Sequence, residues 1–352
     1  MSFAKRACRV ALSSALAAGA ISSAHAASKA PRASYPELSL SASGIKLTVY
    51  LPDVETGYYR GSRFDWSGVV GRVTYKGHTF FGPWHARHDP TGQDAIQGTA
   101  EEFGMFKPLG FDEVRAGGVF YKIGVGGLVR VEALVKDKKT GKMVEQEYGF
   151  WRGHKIAKPG PWEISHGKTW VQFVQDFTGQ RGWGWHYTKR ISLVKDSAAF
   201  VISRRLENTG TKAIDTTHYC HHFTIIDDEP IGPDYRVVLP FGARIEELKG
   251  TPVKIEGQEI VFSQALTGDK TVWARLGGLR GSPLDNGAAI GNRKTGASMT
   301  ITGDREVVRY CFWSTRLATC PEPFVAVKLA GRASMNWSNT YTFGSTAEKK
   351  SK

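Results

Sequence analysis

The sequence has no apolar run that is long enough to cross a membrane. A transmembrane helix needs about 20 consecutive apolar residues. The most apolar stretch of this chain, residues 10–20, is shorter and is rich in alanine and serine. No later stretch approaches the required length. We therefore expect no integral membrane segment.

The short apolar stretch has the features of a secretory signal instead. It follows a basic start formed by Lys5, Arg6 and Arg9, and it precedes the small-residue sequence Ala24-His25-Ala26. A charged start, a short apolar centre and small residues at the end are typical of signal peptides. The sequence therefore predicts a signal peptide at 1–26, cleaved near Ala26, and a periplasmic or secreted protein.

Cysteine is scarce, with 4 residues in a chain of 352. Cys8 lies within the predicted signal, so an odd number remains and a fully paired set is excluded. Cys311 and Cys320 flank a short segment that could turn back on itself, and an exported location would permit a disulfide there. Cys220 would then be a lone thiol, which we interpret as a small buried apolar residue.

Long amphipathic helices are also missing. Short runs of β-branched and aromatic residues recur from 45–51 to 340–343, and they are punctuated by 40 glycines and 15 prolines. This pattern is typical of an all-β fold, here a large antiparallel β-sandwich. We predict one sandwich domain at 45–345, after an N-terminal extension at 27–44 and before a flexible basic tail at 346–352.

Acidic residues are fewer than basic ones: the chain has 33 aspartates and glutamates and 47 lysines and arginines. Removal of the three basic residues of the signal would lower the formal net charge from +14 to +11. Such a charge favours an acidic neighbourhood such as an anionic glycan, a cell-wall polymer or lipid headgroups. A generally basic surface explains it equally well. The basic residues are scattered, so we predict no nucleic-acid partner, and the sequence gives no indication of the oligomeric state.

Histidines cluster in one segment, 216–223, although the chain has only ten. The segment has the composition of a β-strand, and the turn at 209–212 predicts that it forms a hairpin with the strand at 200–208. Side chains alternate between the two faces of a strand. The two faces then carry, respectively, His218, Cys220 and His222, and Tyr219, His221 and Phe223. Each histidine could be an ordinary core residue. A metal site is disfavoured because no acidic residue stands among them.

Several motifs occur in an order that resembles the aldose 1-epimerase (galactose mutarotase-like) superfamily. A strand at 185–193 precedes the sequence Leu206-Glu207-Asn208-Thr209-Gly210, and the histidine segment follows. Near the C-terminus come Cys320-Pro321-Glu322-Pro323 and then 329–331 and 339–343, which resemble the final strand pair of the family. The resemblance covers 165–345 and is looser over 45–165. It implies a β-sandwich of the supersandwich type, a saccharide substrate and no cofactor.

The resemblance also implies two catalytic residues. His221 in His221-His222-Phe223 fits the family histidine, and Glu322 fits the family glutamate. Glu322 would take the proton of the anomeric hydroxyl, while His221 would protonate the ring oxygen from the opposite side of the sugar. General acid and base groups each contribute about 10²–10⁴ in rate.

One position departs from the family pattern. The first catalytic histidine of the family precedes a glycine, and this chain has Gln97-Gly98 at the corresponding place. An amide cannot exchange a proton as imidazole does, which puts simple mutarotation of a free hexose in doubt. His85, His88 or His186 could replace that histidine.

The N-terminal half offers aromatic and polar residues that suit a saccharide cleft, in which a few placed polar groups stand on apolar walls. They lie mainly at 58–66 and 82–90. A structural ion pair between Arg63 and Asp65 is an alternative interpretation, and loop histidines can simply be solvated. The residues predicted to bind substrate are Arg63, Asp65, Trp84, His85, His88, Gln97, Lys122, His186 and Tyr219.

These features predict an exported carbohydrate-active protein that acts at a sugar anomeric centre. A non-catalytic glycan-binding or cell-envelope protein is one alternative. A polysaccharide lyase that acts on an anionic glycan, with Tyr219, His221 and Arg63 in its site, is another. The glycine-rich run near Lys122 lacks the ending of a phosphate-binding loop, and no metal is predicted.

Overall fold

The structure is a computed structural model that describes residues 35–131, 134–136, 139–145 and 147–346. The predicted signal peptide at 1–26 lies outside the described residues, as does most of the predicted tail. None of the helices in the described part of the chain is long and apolar enough to cross a membrane.

Almost all regular structure in the described residues is β-strand. The strands of the first half are β1 (Glu37–Ala42), β2 (Ile45–Tyr50), β3 (Val69–Tyr75), β4 (His78–Phe80), β5 (Gly98–Phe103), β6 (Val119–Lys122), β7 (Gly126–Val129), β8 (Leu134–Lys136), β9 (Met143–Glu145), β10 (Ile156–Pro159), β11 (Glu163–His166) and β12 (Trp170–Thr178). Those of the second half are β13 (Gly184–Leu193), β14 (Ala199–Asn208), β15 (Ile214–Phe223), β16 (Tyr235–Val238), β17 (Arg244–Gly250), β18 (Lys254–Glu256), β19 (Glu259–Val261), β20 (Val272–Gly277), β21 (Gly287–Asn292), β22 (Ala297–Gly303), β23 (Arg309–Ser314), β24 (Thr319–Leu329) and β25 (Ser334–Ser345). Two short 3₁₀ helices lie at Phe111–Glu113 and Pro283–Asp285.

Two large sheets form the body of the protein. One has ten strands in the order β11-β12-β13-β14-β25-β22-β21-β16-β19-β18, and the other has six in the order β17-β20-β23-β24-β15-β5. Apolar side chains from both sheets, such as Phe200 and Phe312, belong to one buried cluster between them. Smaller sheets, β1-β2-β3-β4, β10-β7-β6 and β8-β9, come from the N-terminal half. The predicted all-β antiparallel sandwich is therefore confirmed.

The predicted hairpin around the turn at 209–212 is wrong. Both edges of β14 are occupied by β13 and β25 in the ten-stranded sheet, whereas β15 pairs with β24 and β5 in the six-stranded sheet. The turn therefore carries the chain from one sheet to the other. Asn208 fixes this crossing, because its side-chain amide donates hydrogen bonds to the carbonyls of Lys212 and Leu329, 2.7 and 3.1 Å away. The final strands, β24 and β25, likewise lie in different sheets.

Regular sheet structure begins within the predicted N-terminal extension. β1 pairs along its whole length with β2, so the sheet structure starts within the segment 27–44, for which the sequence predicts an N-terminal extension.

Cys220, Cys311 and Cys320 are all free and buried. The disulfide considered between Cys311 and Cys320 is therefore not formed. On β23 and β24 each of these thiols lies opposite a different residue, Glu322 and Trp313 respectively.

Candidate active site

A pocket opens on the outer face of the six-stranded sheet. Along β23, Phe312 belongs to the core between the two sheets, so its neighbour Trp313 points to the opposite face, where the pocket lies. The cavity has a volume of about 280 Å³. Ligand pockets usually measure about 300–1,000 Å³, so this one suits a ligand near the size of a single sugar ring. Its walls are formed by Arg63, Trp84, Asp94, Met105, Phe150, His221, Phe223, Trp273, Trp313 and Glu322.

The two predicted catalytic residues meet in this pocket. β15 and β24 are antiparallel neighbours with Tyr219 opposite Phe324, and continuing this register places His221 beside Glu322 on the same face. The Nε2 atom of His221 lies 3.0 Å from Oε1 of Glu322. The imidazole also stacks on the ring of Phe223 at 4.0 Å, which fixes its plane. The two groups therefore share one wall of the pocket. They do not face each other across the sugar, which is the arrangement that the family resemblance implies.

Arg63 supplies the guanidinium of the pocket and is held rigidly. Its Nε donates to Glu102 at 3.0 Å, one terminal nitrogen donates to the Tyr219 hydroxyl at 2.9 Å, and the other pairs with Asp94. The guanidinium also lies between the rings of Phe64 and Phe150, at 4.4 and 4.3 Å. A guanidinium has five N–H donors, so two of them are left over by these three contacts.

A layer of buried charge supports Arg63 from below. Glu102 on β5 is fully buried and also accepts a hydrogen bond of 2.6 Å from the Lys122 ammonium. Burial alone would raise the pKa of Glu102. Lys122 and Arg63 outweigh this effect and hold the pKa below its ordinary value. Tyr219 donates to Glu102 at 2.9 Å, and burial raises the pKa of this phenol well above its usual range. Lys122 and Tyr219 thus lie beneath the pocket, where they position Arg63.

The adjacent residue of β5 supports the other face of the same sheet. Glu101 points between the two sheets, where it accepts both arms of Arg204 at 2.6 and 2.7 Å and lies 3.1 Å from Lys189. Nε2 of His218 is also 3.1 Å from Glu101. Burial lowers the pKa of His218 to about 4, so this histidine is a neutral member of the network. Two successive glutamates of one strand therefore anchor the pocket floor and the sheet-to-sheet contact.

Charges within and below the pocket nearly cancel. Arg63 and Lys122 are opposed by Asp94, Glu102 and Glu322, which leaves the site at about −1 with a neutral His221 and at zero with a protonated one. Arg63 does not provide an uncompensated positive charge, because two carboxylates already contact it. The arrangement therefore favours a ligand without a charge at the position of the reacting carbon.

Several residues predicted to bind substrate do not line this pocket. Gln97 is buried and donates to the carbonyl of Gly71 at 2.9 Å. His85 contacts the ring of Trp84 and shares a hydrogen bond of 2.8 Å with the Asp94 carbonyl. His88 is stacked on Tyr58 and contacts its carbonyl at 2.8 Å. Each of these polar groups satisfies a nearby backbone group and thereby shapes the loops around the pocket.

Two other predicted binding residues, Asp65 and His186, do not line the pocket either. Asp65 is buried and accepts hydrogen bonds from Ser67, and Lys189 lies 3.4 Å away. Asp65 therefore pairs with Lys189 instead of forming the alternative ion pair with Arg63. His186 lies on the ten-stranded sheet, where it contacts the exposed Asp176 at 2.7 Å.

The metal alternative at the histidine segment has no support in the described residues. His218 contacts Glu101, and His222 contacts the carbonyl of Pro321 at 2.7 Å. In the part of the chain that the structure describes, no group of three or more His, Cys, Asp or Glu side chains could hold a metal ion.

Sequence reasoning missed about half of the pocket. Trp273 and Trp313 lie in regular strands, where an aromatic residue is ordinarily part of the core. A usable signal was present in β5, because Glu101 and Glu102 are adjacent carboxylates in a strand that is otherwise apolar or small. Buried charges need partners, so this pair pointed to a charged network nearby. The residues of the pocket that were not predicted to bind substrate are Asp94, Met105, Phe150, Phe223, Trp273 and Trp313.

Comparisons with known proteins give a similarity of fold. No protein-family model matches the sequence, and no curated protein sequence matches it. A candidate aldose 1-epimerase from Escherichia coli K12 is similar in structure, with a TM-score of 0.51 and 11% identity over 88% of this chain and 99% of that one. A galactose mutarotase-like protein from Clostridium acetobutylicum gives 0.51 and 13% over 88% and 95%. A protein from Synechocystis sp. PCC 6803 gives 0.53 and 11% over 89% and 96%. The chain therefore has the fold of the galactose mutarotase-like proteins.

Proposed function

We propose that this protein catalyses proton transfer at the anomeric centre of a sugar, in the manner of an aldose 1-epimerase. The observation that carries the proposal is the contact of 3.0 Å between His221 Nε2 and Glu322 Oε1 in a pocket with aromatic walls. A carboxylate and an imidazole are the usual general base and general acid. Aromatic walls with a few polar groups are the usual surroundings of a bound sugar.

The shared wall fits this chemistry better than the opposite walls first expected. The anomeric oxygen and the ring oxygen are both bonded to the anomeric carbon, so two neighbouring side chains can each reach one of them. Glu322 accepts the proton of the anomeric hydroxyl, and protonated His221 gives its Nε2 proton to the ring oxygen while the bond from that oxygen to the anomeric carbon breaks. The open-chain aldehyde rotates, and the reverse transfers close the ring with both side chains restored.

The substrate that we propose is a sugar ring without a negative charge on the reacting residue. Arg63 and Asp94 would bind its hydroxyls with their remaining donors and acceptors, and Trp84, Trp273 or Trp313 would pack against its apolar face. The near-neutral charge of the site supports this choice. A lyase acting on a uronate in this pocket is disfavoured. Arg63 is already neutralised by carboxylates, and the Tyr219 hydroxyl is engaged in hydrogen bonds with Arg63 and Glu102.

We further propose that the protein acts outside the cytoplasm after loss of residues 1–26. The support is the basic, apolar and small-residue pattern of that segment. Intact-mass measurement of the protein from the periplasm or the medium should give a chain that begins near Ala27. A periplasmic or secreted chain that keeps Met1 would contradict this part of the proposal.

A panel of free aldoses distinguishes the proposed activity from its alternatives. Polarimetry should show faster equilibration of the anomers of at least one neutral aldose than in buffer alone. Saccharide binding without such acceleration for any sugar would support the non-catalytic glycan-binding alternative. Formation of an unsaturated, ultraviolet-absorbing product from an acidic polysaccharide would support the lyase alternative.

A further inference from the structure

The face of the sheet that carries the pocket continues into a positively charged groove. On β20, Trp273 lines the pocket, and Arg275 lies two residues further on the same face, about 7 Å away. On β23, Trp313 lines the pocket, and Arg309 lies four residues earlier on the same face. A depression of about 400 Å³ is lined by Arg275 and Arg309 together with Glu246 and Val308.

The two arginines of this groove are weakly compensated. Arg275 approaches carboxylates only at 3.8 Å, to Glu246, and at 3.9 Å, to Glu247. Arg309 makes no ion pair within the described residues, and its Nε faces the sulfur of Cys311 at 3.4 Å. Lys249 on the edge strand lies 4.8 Å from the Trp273 ring and pairs with Glu247 at 2.9 Å. Two arginines and one carboxylate, Glu246, line the groove, so its lining has an excess of one positive charge, in contrast to the pocket beside it.

An exposed aromatic residue is next to one residue of the pocket and contacts one residue of the groove. Phe106 follows the pocket residue Met105 and is 47% exposed. It stacks on Phe324 at 5.8 Å, and the Arg309 guanidinium lies 4.6 Å from its ring. A half-exposed aromatic ring beside an arginine is suited to the apolar side of a sugar ring that also bears an oxyanion.

We propose that this groove binds the second residue of an acidic oligosaccharide whose reducing-end residue occupies the pocket. The ring of the second residue lies against Phe106, and its carboxylate is bound by Arg309 and Arg275. The proposal rests on the proposed function in one respect, because it takes the residue in the pocket to be the reducing end. It commits to a substrate in which a neutral residue is followed by an acidic one.

Calorimetric titration with matched tetrasaccharides tests this proposal. A hyaluronan tetrasaccharide has a neutral reducing end followed by a uronate, while fully N-acetylated chitotetraose has the same length and no charge. Wild type should bind the hyaluronan tetrasaccharide more tightly. The double variant Arg275→Gln, Arg309→Gln should lose about tenfold in affinity for it. The double variant Arg275→Lys, Arg309→Lys should keep part of that affinity, because the charges remain.

The control removes two surface charges elsewhere. Arg205→Gln, Arg236→Gln lies on the ten-stranded sheet, and we expect it to bind the hyaluronan tetrasaccharide as wild type does. Equal affinity of wild type for the two tetrasaccharides, or an equal loss in the control, would overturn the groove. Inorganic phosphate alone should not displace the tetrasaccharide. Full displacement would show that the groove binds anions in general and would overturn the proposed saccharide site.

Failure of the groove can be separated from failure of the proposed function. Binding of the hyaluronan tetrasaccharide is measured without turnover, and Glu322→Gln should still bind it. Retained preference for the acidic tetrasaccharide in a protein that equilibrates no sugar would reject the anomeric chemistry and keep the groove. Catalysed equilibration without any such preference would reject the groove alone.

Discussion

At the scale of single residues, the site depends on side chains whose contacts leave few degrees of freedom. Arg63 is fixed by three polar partners and two aromatic rings, and His221 is fixed by Glu322 and Phe223. Such preorganisation keeps catalytic groups in place without a rearrangement at the moment of reaction. Asp94 is the one partner of Arg63 that is substantially exposed.

Asp94→Asn tests how much the outer partner of Arg63 matters. We expect the free energy of unfolding to change by less than about 1 kcal/mol, because Asp94 is half exposed and the buried Arg63 keeps its ion pair with Glu102. KM for the sugar should rise by about tenfold, since Asp94 lines the pocket and orients the guanidinium. Steady-state kinetics and urea denaturation measure the two effects. Asp176→Asn, an exposed carboxylate beside His186, is the control and should change neither quantity.

The three buried cysteines give a test of the side-chain packing. Burial raises the pKa of Cys220 to about 12 and that of Cys311 to about 11, and neither is accessible. A thiol reagent at pH 8 should therefore leave the native protein unlabelled. In denaturant without reductant, Cys220, Cys311 and Cys320 should all be labelled, as mass spectrometry would show. Protection of Cys311 and Cys320 under those conditions would reveal the disulfide that this structure excludes.

At the scale of elements, the short strand β5 provides buried carboxylates on both faces of its sheet. Its two glutamates point to opposite faces of the sheet, one to the pocket floor and one to the core between the sheets. A strand alternates its side chains, so one short edge strand can serve both. The sequence supports this placement, because small or apolar residues flank the two carboxylates.

Glu102→Gln should destabilise the protein strongly. Removing this charge leaves Arg63 and Lys122 buried without their common carboxylate, which costs about 3–5 kcal/mol when a buried pair is broken. Urea denaturation measures the loss. Combining Glu102→Gln with Lys122→Met should restore part of it, because the second change removes one unpaired cation. A loss for Glu102→Gln as small as that for the exposed Glu113→Gln would contradict the network.

Sequence patterns predicted the individual strands better than they predicted which strands pair with each other. The alternation along β15 correctly separated Tyr219, His221 and Phe223 from His218, Cys220 and His222. The hairpin prediction failed, because the chemistry of a turn does not say whether the next strand joins the same sheet. Loop residues such as His85 were equally hard to place, since their polar atoms can satisfy a backbone carbonyl as readily as a sugar.

At the scale of the whole molecule, two sheets enclose a core that contains neutral histidines. Burial lowers the pKa of both His218 and His222 to about 4, from an ordinary value of 6.5. The unfolded chain binds these protons at a higher pH than the folded chain does. Their contribution to stability is therefore complete above pH 6.5 and is lost as the pH falls from 6.5 toward 4.

His222→Asn isolates one of these contributions. Asparagine can still donate to the Pro321 carbonyl but does not titrate. We expect wild type to lose up to about 3 kcal/mol more than the variant between pH 6.5 and pH 4. The charged groups that influence His222, namely Glu101, Arg204 and His221, are common to both proteins. Denaturation curves across this range that run parallel would show that His222 is not buried in its neutral form.

The central claim is that Glu322 and His221 act together on one anomeric carbon. Exchange NMR on the aldose identified by polarimetry measures the rate of anomer interconversion directly. We expect Glu322→Gln to lower kcat/KM by at least about 10², while Glu207→Gln, a surface carboxylate on β14, should equal wild type. Interconversion by Glu322→Gln at the wild-type rate would contradict the account.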